Sequence, residues 1–557
     1  MRMPTNRGMQ RIAAPSQRKS SCNQPIRFSS VTSLSLFSRA PSVHLPYSSA
    51  PDHNSKWGSR SGRTNLQTKP LLQIAAATSQ TAAAALHRPS RYSGYNFKLG
   101  LGSSGSNFIE KPLLHVTTAA SRQTAATPPT DLEVDVVIVG AGIIGLMTAH
   151  ALLTADPAVS VVLLDAKEPC SGATGAGQGY VWLCHRDATA PAWEIAVHSK
   201  NLWQEQLQQN LAISAPVKEK DVEWQCTGSM LIAATKAEAE NLQHREKLLR
   251  EAGIDATFIN AQKATEIEPA LSSISSSNSF KHGGALIVPS DAQINGRKAA
   301  AAVLAACRLH SASGRFQDLF FESCEGLATS STGRVEGVVT PLRTIIARAG
   351  VVMASGAWGG EFLARYMNKP QWASALLPRR GLLLEMPRPP SMPEIHRGLM
   401  EVGYTQHYNP ENRSKLAEKL VDKTTAAADI TFTATTSASG SLLIGSSREF
   451  SGWDPSGPIE TIDAIMDRAI TFLPGLAAID RRSEISVRVG LRPFSPLGPM
   501  VGPLCEGLFV AAGHEGSGLT LGPATAELLV EDILGRERHA LSDHAVASLR
   551  PAPDLTM

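Results

Sequence analysis

The sequence VVIVGAGIIG, which ends at Gly145, constrains the fold more than any other part of this chain of 557 residues. The nearly all-apolar run at 134–139 is typical of a strand buried on both faces of a parallel sheet, and a helical pattern follows from 143 to 153. Between them, Gly140 allows a tight turn, Gly142 lets the backbone approach a pyrophosphate, and Gly145 lets helix and strand pack closely. The N–H groups at the helix N-terminus would bind the phosphates. The pattern therefore predicts a dinucleotide-binding unit.

The next strand pattern supports this prediction. Residues 159–164 are again apolar and end at Asp165, which lies 20 residues after Gly145. A carboxylate at this spacing accepts hydrogen bonds from the ribose hydroxyls of an adenine dinucleotide, and an acid disfavours a 2′-phosphate. The segment GLGSSG at 100–105 has the same glycine spacing, but no apolar strand precedes it and no helical pattern follows it. We predict no site there.

Two further glycine-rich segments indicate which dinucleotide is bound. Residues 171–179, SGATGAGQG, suit a backbone wrapped around a large ring system, with Thr174 facing a phosphate or a ring edge. A mobile surface loop is the alternative interpretation. Residues 511–520, AAGHEGSGLT, again join a strand to a helix, and their N–H groups would face negative charge on a flavin pyrimidine ring. Both segments favour FAD over NAD.

Charge divides the chain at about residue 130. Residues 1–130 hold 16 Lys and Arg and two acids, whereas the remainder holds 37 basic and 47 acidic side chains. An Arg- and Ser-rich, acid-poor N-terminus is typical of an organelle transit peptide, and a disordered basic arm that binds nucleic acid or membrane is the alternative. Its length and serine content favour the chloroplast over the mitochondrion. Because an acidic body repels phosphates, we expect no nucleic-acid partner.

Motifs for other chemistry are missing from the sequence. There is no HExxH, no nucleophile elbow and no Gly-Lys pair for a phosphate loop. Nothing in the sequence supports a metal site, so no metal is predicted. The most apolar stretch, 134–153, approaches membrane-spanning length, but Asp135, three glycines and His150 interrupt it. We therefore predict no membrane span.

A set of further motifs gives the chain a family resemblance. In their order and spacing they resemble the D-amino-acid oxidase/glycine oxidase superfamily of FAD-dependent amine oxidoreductases, over nearly all of 134–534. The motifs are GAGIIG at 140–145, LLD ending at Asp165, TGSMLIA at 227–233, VVMASGAW at 351–358, LLIGSSRE at 442–449, GLRPFSPLGPMVGP at 490–503 and AAGHEGSGLTLGPATA at 511–526.

The resemblance implies an α/β fold in which a Rossmann-type FAD-binding domain is interleaved with a mainly antiparallel α+β substrate domain. A transit peptide and disordered linker would occupy 1–130, and a tail 541–557. The FAD-binding domain would comprise 131–222, 283–376 and 485–540, and the substrate domain 223–282 and 377–484.

The resemblance also implies a set of cofactor-binding residues. Those at the pyrophosphate and ribose are Gly140, Gly142, Ile143, Ile144, Gly145, Asp165 and Ala166. Those lining the flavin are Ala173, Thr174, Gln178, Gly179 and Tyr180, and those holding its pyrimidine end are Gly513, His514, Gly516, Ser517, Gly518, Leu519 and Thr520.

Arg492, in the segment GLRP, matches the arginine that binds the substrate carboxylate in amino-acid-oxidising members, and a guanidinium fork suits a carboxylate. Without the resemblance, an ordinary ion pair at the end of a strand would be the favoured interpretation. The resemblance implies hydride transfer from the carbon bearing the nitrogen of an amino acid or secondary amine to flavin N5, with O2 or another electron acceptor. A FAD-stabilised organellar scaffold without oxidase activity is the alternative, and a soluble NAD enzyme is a weaker one.

The chain departs from glycine-oxidase-like members at several positions. Where they have an arginine two residues after the histidine of the C-terminal loop, this chain has Gly516, and an expected substrate tyrosine is replaced by Phe432 or Thr433. Residues 403–429 resemble an insertion. Relatives that hold FAD covalently use a cysteine at about the position of Gly490, so we predict non-covalent FAD.

Overall fold

The computed structural model describes residues 131–208, 219–274, 280–421, 428–538 and 540–556. The predicted leader at 1–130, with its GLGSSG segment, lies outside these residues. The strands are β1 (Leu132–Val139), β2 (Val161–Asp165), β3 (Tyr180–Val181), β4 (Ser229–Ala233), β5 (Thr257–Asn260), β6 (Gly284–Val288), β7 (Ala292–Gln293), β8 (Phe316–Phe320), β9 (Gly326–Thr329), β10 (Val335–Val339), β11 (Thr344–Met353), β12 (Leu377–Met386), β13 (Gly398–Glu401), β14 (Asp429–Thr436), β15 (Leu442–Arg448), β16 (Ser486–Phe494), β17 (Met500–Cys505) and β18 (Leu508–Ala512). The helices are α1 (Ile143–Ala155), α2 (Ala173–Ala176), α3 (Ala192–Gln208), α4 (Glu219–Val222), α5 (Lys236–Glu251), α6 (Ala261–Ile267), α7 (Gly296–Arg308), α8 (Gly359–Tyr366), α9 (Trp372–Ala375), α10 (Pro410–Val421), α11 (Ile459–Phe472), α12 (Gly518–Leu534) and α13 (Asp543–Leu549).

The first sheet has the strand order β17-β18-β11-β1-β2-β8, with β9 and β10 attached beside β11. All neighbours from β18 to β8 are parallel, and β17 is antiparallel to β18 at the edge. The second half of the central strand β1 is apolar, and Val136 to Ile138 are fully buried. Val136 and Ile138 pack in a cluster with α1 and α12, whereas Val137 packs in a second cluster with β10 and α8. The strand and helix predicted around the glycine turn are therefore present.

Helix α12 begins at Gly518, within the segment 511–520 that was predicted to join a strand to a helix, and it contains Pro523. Proline lacks the N–H that would bond to the carbonyl of Leu519, four residues earlier. Trp203 of α3 donates its Nε1–H to that carbonyl at 2.7 Å, and Ser199 Oγ accepts the N–H of Ala524 at 3.1 Å. Side chains of α3 thus replace the helical bonds, which sequence periodicity does not reveal.

The second sheet has the order β16-β12-β15-β14-β13-β4-β6-β5 and is antiparallel except between β13 and β4. Helix α11 covers it, and Phe472 of that helix stacks on Phe432 of β14 with ring centroids 4.4 Å apart. The strands β6 and β16 pair here, although the predicted boundaries placed both in the FAD-binding segments 283–376 and 485–540. A local strand pattern does not identify its partner strand, and the boundaries at 283 and 485 stay a prediction.

The segment predicted as a tail packs against the body. Within 541–556, Leu549 and Leu555 are buried, and Arg550 forms an ion pair with Asp532 of α12. Within the described ranges, no helix combines the length and apolarity that crossing a bilayer requires.

The carboxyl ends of β1, β2, β11 and β18 open onto a cavity whose other wall comes from β12, β15 and β16. Ligands of open α/β sheets bind at this edge.

Candidate active site

The glycine turn after β1 depends on two close approaches. Gly140 has φ +115°, and a Cβ there would lie 2.4 Å from the carbonyl oxygen of Ala354. A Cβ on Gly145 would lie 2.0 Å from the carbonyl oxygen of Gly140. Gly142 has open space by comparison, since its nearest neighbour, Thr174 Oγ1, would be 3.5 Å away. The fold thus excludes larger residues at Gly140 and Gly145. At Gly142 a larger residue would instead fill space that a ligand needs.

Asp165 contacts this turn directly. Its Oδ2 accepts the N–H of Ala141 at 2.7 Å and its Oδ1 accepts the N–H of Lys167 at 2.8 Å. Burial raises the pKa of Asp165, against the lowering effect of these two hydrogen bonds. The spacing of 20 residues therefore brings the carboxylate beside the glycine turn.

The glycine-rich segment after β2 folds as the short helix α2 and then β3. The N–H of Ile143 donates to Thr174 Oγ1 at 3.1 Å, so this hydroxyl bonds to the turn itself. The amide of Gln178 faces the second sheet, where its Nε2 donates to the carbonyl of Leu443 and its Oε1 accepts from Thr433 Oγ1. Thr433 and the buried Phe432 do not contribute to the cavity wall.

The C-terminal loop closes the cavity from the side of β18. Gly513 has φ +77°, and a Cβ there would lie 2.4 Å from the carbonyl oxygen of Gly498. His514 is buried with its Nε2 3.0 Å from Thr525 Oγ1, and burial lowers the pKa of its imidazole to about 4. The N–H of Ser517 donates to the carbonyl of His514, and Thr520 Oγ1 donates to the carbonyl of Tyr180 at 2.9 Å. The loop is therefore tied to its neighbours by His514, which lines the cavity, and by Ser517 and Thr520, which do not.

One cavity brings most of the predicted site residues together. Four of the predicted residues do not line this cavity, namely Gly145, Gly513, Ser517 and Thr520. The predicted residues in the wall are Gly140, Gly142, Ile143, Ile144, Asp165, Ala166, Ala173, Thr174, Gln178, Gly179, Tyr180, Arg492, His514, Gly516, Gly518 and Leu519.

Arg492 lies in the wall contributed by the second sheet. It is half-buried on β16, and its Nη1 donates to the carbonyl of Ser447 at 2.9 Å. Gly381 of the neighbouring strand β12 leaves space for this side chain, because a Cβ there would lie 2.0 Å from Arg492 Nη1 and would displace the guanidinium. Burial and the nearby guanidinium of Arg448 lower the pKa of Arg492 to about 10, so it stays cationic near neutral pH. Arg492 has no ion-pair partner among the residues the structure describes.

Sequence reasoning missed Glu515, the acid in the C-terminal loop. It has φ +49° and is buried. Arg379 Nη1 donates to its Oε1 at 2.8 Å and Arg413 Nη1 to its Oε2 at 3.0 Å. Although burial opposes ionisation, the guanidinium groups of Arg413 and Arg379 lower the pKa of Glu515 to about 2. A charged residue within a loop of small residues, between a buried strand and an apolar helix, was the signal that could have indicated it.

The predicted insertion supplies a cover over this region. It folds as a 3-10 helix, Val402–Tyr408, followed by α10. Tyr404 lines the cavity, and its ring lies 4.2 Å from the guanidinium carbon of Arg448. A Cβ on Gly516 would lie 3.8 Å from the hydroxyl of Tyr408. Tyr408 thus stands close to the space that a side chain at position 516 would enter.

The two sheets and their shared cavity define a class of protein. A parallel sheet with a dinucleotide-binding glycine turn, joined across one cavity to an antiparallel sheet, is typical of enzymes that bind a dinucleotide cofactor. A family model described as FAD dependent oxidoreductase, the DAO family, matches residues 135–532. The chain belongs to this family, as the sequence resemblance predicted, and its cofactor is FAD.

Individual relatives agree with this assignment. Glycine oxidase from Pseudomonas putida is 29% identical over 410 residues, which cover 72% of this chain and 95% of that protein. The crystal structure of glycine oxidase from Bacillus cereus matches with a TM-score of 0.58 and 21% identity, covering 75% of this chain and 99% of that one. Iminodiacetate oxidase from Chelativorans matches with a TM-score of 0.56 and 20% identity, covering 72% and 96%. The likeness to these structures confirms the predicted fold class.

The residues present fit FAD. Helices α1 and α12 both begin at the cavity, and in neither does the N-cap residue, Gly142 or Ser517, bond to the first turn through its side chain. Thr174 Oγ1 accepts the first N–H of α1, that of Ile143. Helix N-termini present N–H groups and positive dipole ends, which bind anions. Gly142 and Ile143 would hold the pyrophosphate, Asp165 the ribose, and the loop from His514 the polar edge of the flavin.

Proposed function

We propose that the chain oxidises the carbon–nitrogen bond of an amino acid or a secondary amine that carries a carboxylate. The observation that carries this proposal is Arg492. Its guanidinium lies in the cavity wall opposite the dinucleotide turn and has no ion-pair partner among the described residues. A half-buried guanidinium fork without a partner carboxylate fits a ligand carboxylate, which it would bind in a bidentate manner.

The charges around Arg492 would prepare the substrate for oxidation. Three further guanidinium groups, those of Arg379, Arg413 and Arg448, act on Glu515 together with that of Arg492. A positive potential disfavours an ammonium group and thus lowers its pKa, so a bound substrate would hold its nitrogen as the neutral amine. FAD, when bound, accepts a hydride from the carbon next to that nitrogen. His514 remains neutral and hydrogen-bonded to Thr525, so it would position the loop rather than move a proton.

Substitution of Arg492 tests the proposal. We expect Arg492→Met to retain FAD and to lose roughly 100- to 1,000-fold in kcat/KM for the amine, the loss typical of removing one partner of a buried charge pair. Arg488→Met is the matched control, because Arg488 lies on the same strand and pairs with Glu385 outside the cavity wall. An Arg492→Met protein with FAD and full activity would overturn the proposed role.

We also propose that FAD is held without a covalent bond. Gly490 lies in the cavity wall, and a Cβ there would lie 2.8 Å from the Cβ of Ala176, which supports a close backbone approach rather than a side-chain attachment. Acid precipitation of the purified protein should leave the yellow colour in the supernatant. Colour that stays in the protein pellet would contradict this.

For the leader at 1–130, we propose that it directs the chain to the chloroplast. Its 16 basic and two acidic residues support this interpretation. A fluorescent protein fused after residue 130 should coincide with chlorophyll fluorescence. Coincidence with a mitochondrial dye would support the alternative compartment.

A further inference from the structure

Three adjacent strands of the second sheet carry arginines at the cavity, and of these Arg492 lines the wall. Arg492 on β16 lies directly opposite Arg379 on β12 in the strand register. Arg448 ends β15, which pairs with the other edge of β12. Like charges placed opposite one another in a sheet repel, and burial strengthens the repulsion. Such an arrangement needs anions nearby.

The carboxylates around these arginines form ion pairs with only some of them. Glu515 receives both Arg379 and Arg413, and Asp429 lies 3.7 Å from Arg379. By contrast, neither Arg448 nor Arg492 forms an ion pair with a carboxylate in the described ranges of the chain. Two guanidinium groups are therefore left for a ligand, and leaving them unpaired in a buried site is costly.

The surroundings of Arg448 connect it to the cavity. Its Nη1 donates to Thr431 Oγ1 at 3.2 Å, and that hydroxyl is 3.4 Å from Ser446 Oγ. Ser446 and Tyr404 both line the cavity, and the ring of Tyr404 lies over the guanidinium of Arg448. Arg448 thus stands directly behind the part of the wall that Ser446 and Tyr404 form.

We propose that the substrate is an amine bearing two carboxylates, one bound by Arg492 and the second held beside Ser446 and Tyr404 by the charge of Arg448. This inference rests on the proposed function of the same cavity. Two carboxylates match the two guanidinium groups that have no partner among the described residues. Arg448 is then a specificity-determining residue, which selects dicarboxylates over simple amino acids such as glycine.

Binding of unreactive acids to the full-length holoprotein tests this inference separately from catalysis. The probes are malonate, succinate and glutarate, each compared with the monocarboxylate of the same chain length, and the readout is the change in the flavin absorption spectrum. We expect at least one dicarboxylate to bind roughly ten-fold more tightly than its monocarboxylate, as an additional charge pair would give. A wild-type protein without such a preference would overturn the inference.

Variants show whether Arg448 produces the preference. We expect Arg448→Met to weaken dicarboxylate binding by roughly ten-fold more than monocarboxylate binding, and Arg488→Met to affect both little. Equal weakening of both classes of acid would overturn the role of Arg448 and would indicate that its charge serves the flavin instead. If Arg448→Met does not fold, the wild-type series together with Arg448→Lys decides the question. Dicarboxylate binding without flavin reduction by any amine would contradict the proposed oxidation but leave this inference standing.

Discussion

The glycine turn and the arginine-lined wall belong to the same cavity but use different chemistry. The turn around Gly140 offers backbone N–H groups at the N-terminus of α1, and it excludes side chains by close contact. The wall around Glu515 uses side-chain charges drawn from β12, β16 and α10. Neutral backbone groups suit a cofactor that stays bound, whereas a wall with unpaired charges suits a smaller anion that enters and leaves. The predictions below test this division, beginning with the largest effect.

Replacement of Gly140 tests the backbone side. Gly140→Ala puts a Cβ 2.4 Å from the carbonyl oxygen of Ala354 at φ +115°, so the turn must open. We expect a fall in FAD content of roughly ten-fold or more, measured by absorbance per protein, because strain at such a position destabilises the local structure. Gly314→Ala is the control, since Gly314 also has a positive φ, +73°, but no atom within 4 Å of the added Cβ. It should lose only about 1–2 kcal/mol of stability and keep its FAD.

Replacement of Glu515 tests the charged wall. Glu515→Gln leaves Arg379 and Arg413 buried without their shared carboxylate. We expect the free energy of unfolding to fall by about 3–5 kcal/mol, measured by urea denaturation. Glu506→Gln, which breaks an exposed pair with Arg334, should cost at most about 1 kcal/mol. Equal losses in the free energy of unfolding for the two variants would contradict a stabilising role of Glu515 between Arg379 and Arg413.

The pH dependence of stability gives a smaller effect. Burial lowers the pKa of His514 to about 4 from an ordinary 6.5, so the unfolded chain binds more protons between these values. Stability is therefore lost as the pH falls from about 6.5 to about 4, with a contribution from His514 of about 3 kcal/mol. His514→Gln should flatten this part of the stability curve, and substitution of the exposed His282 should not. An unchanged slope in His514→Gln would contradict the neutral, buried state of this histidine.

The same division explains what the sequence allowed us to predict. Gly140, Gly145 and Asp165 are close in the chain. Because their spacing is that of a known motif, the sequence alone predicted that they lie together at the turn, as the structure shows. Glu515 and Arg379 are 136 residues apart, and no periodicity records their contact. Arg492 was predicted only through the family resemblance, since a single arginine at a strand end has no distinctive local pattern.

The limits of local patterns also appear in the fold. Pro523 lies inside α12, and the bonds from Trp203 to the carbonyl of Leu519 and from Ala524 to Ser199 explain why the helix tolerates it. The place of the strands β6 and β16 in the second sheet depends on partners far away in the chain. Spacing thus predicts local turns well and the assembly of distant segments poorly.

Anaerobic mixing of the wild-type holoprotein with a panel of amines tests the central claim most directly. The panel should include glycine, N-methylated amino acids, D- and L-amino acids and amines with two carboxylates, and flavin absorbance is followed with time. We expect at least one carboxylate-bearing amine to bleach the flavin, with dicarboxylates reacting fastest. A flavin that stays oxidised with every amine would contradict oxidation of a carbon–nitrogen bond and would favour a scaffold that binds FAD for stability.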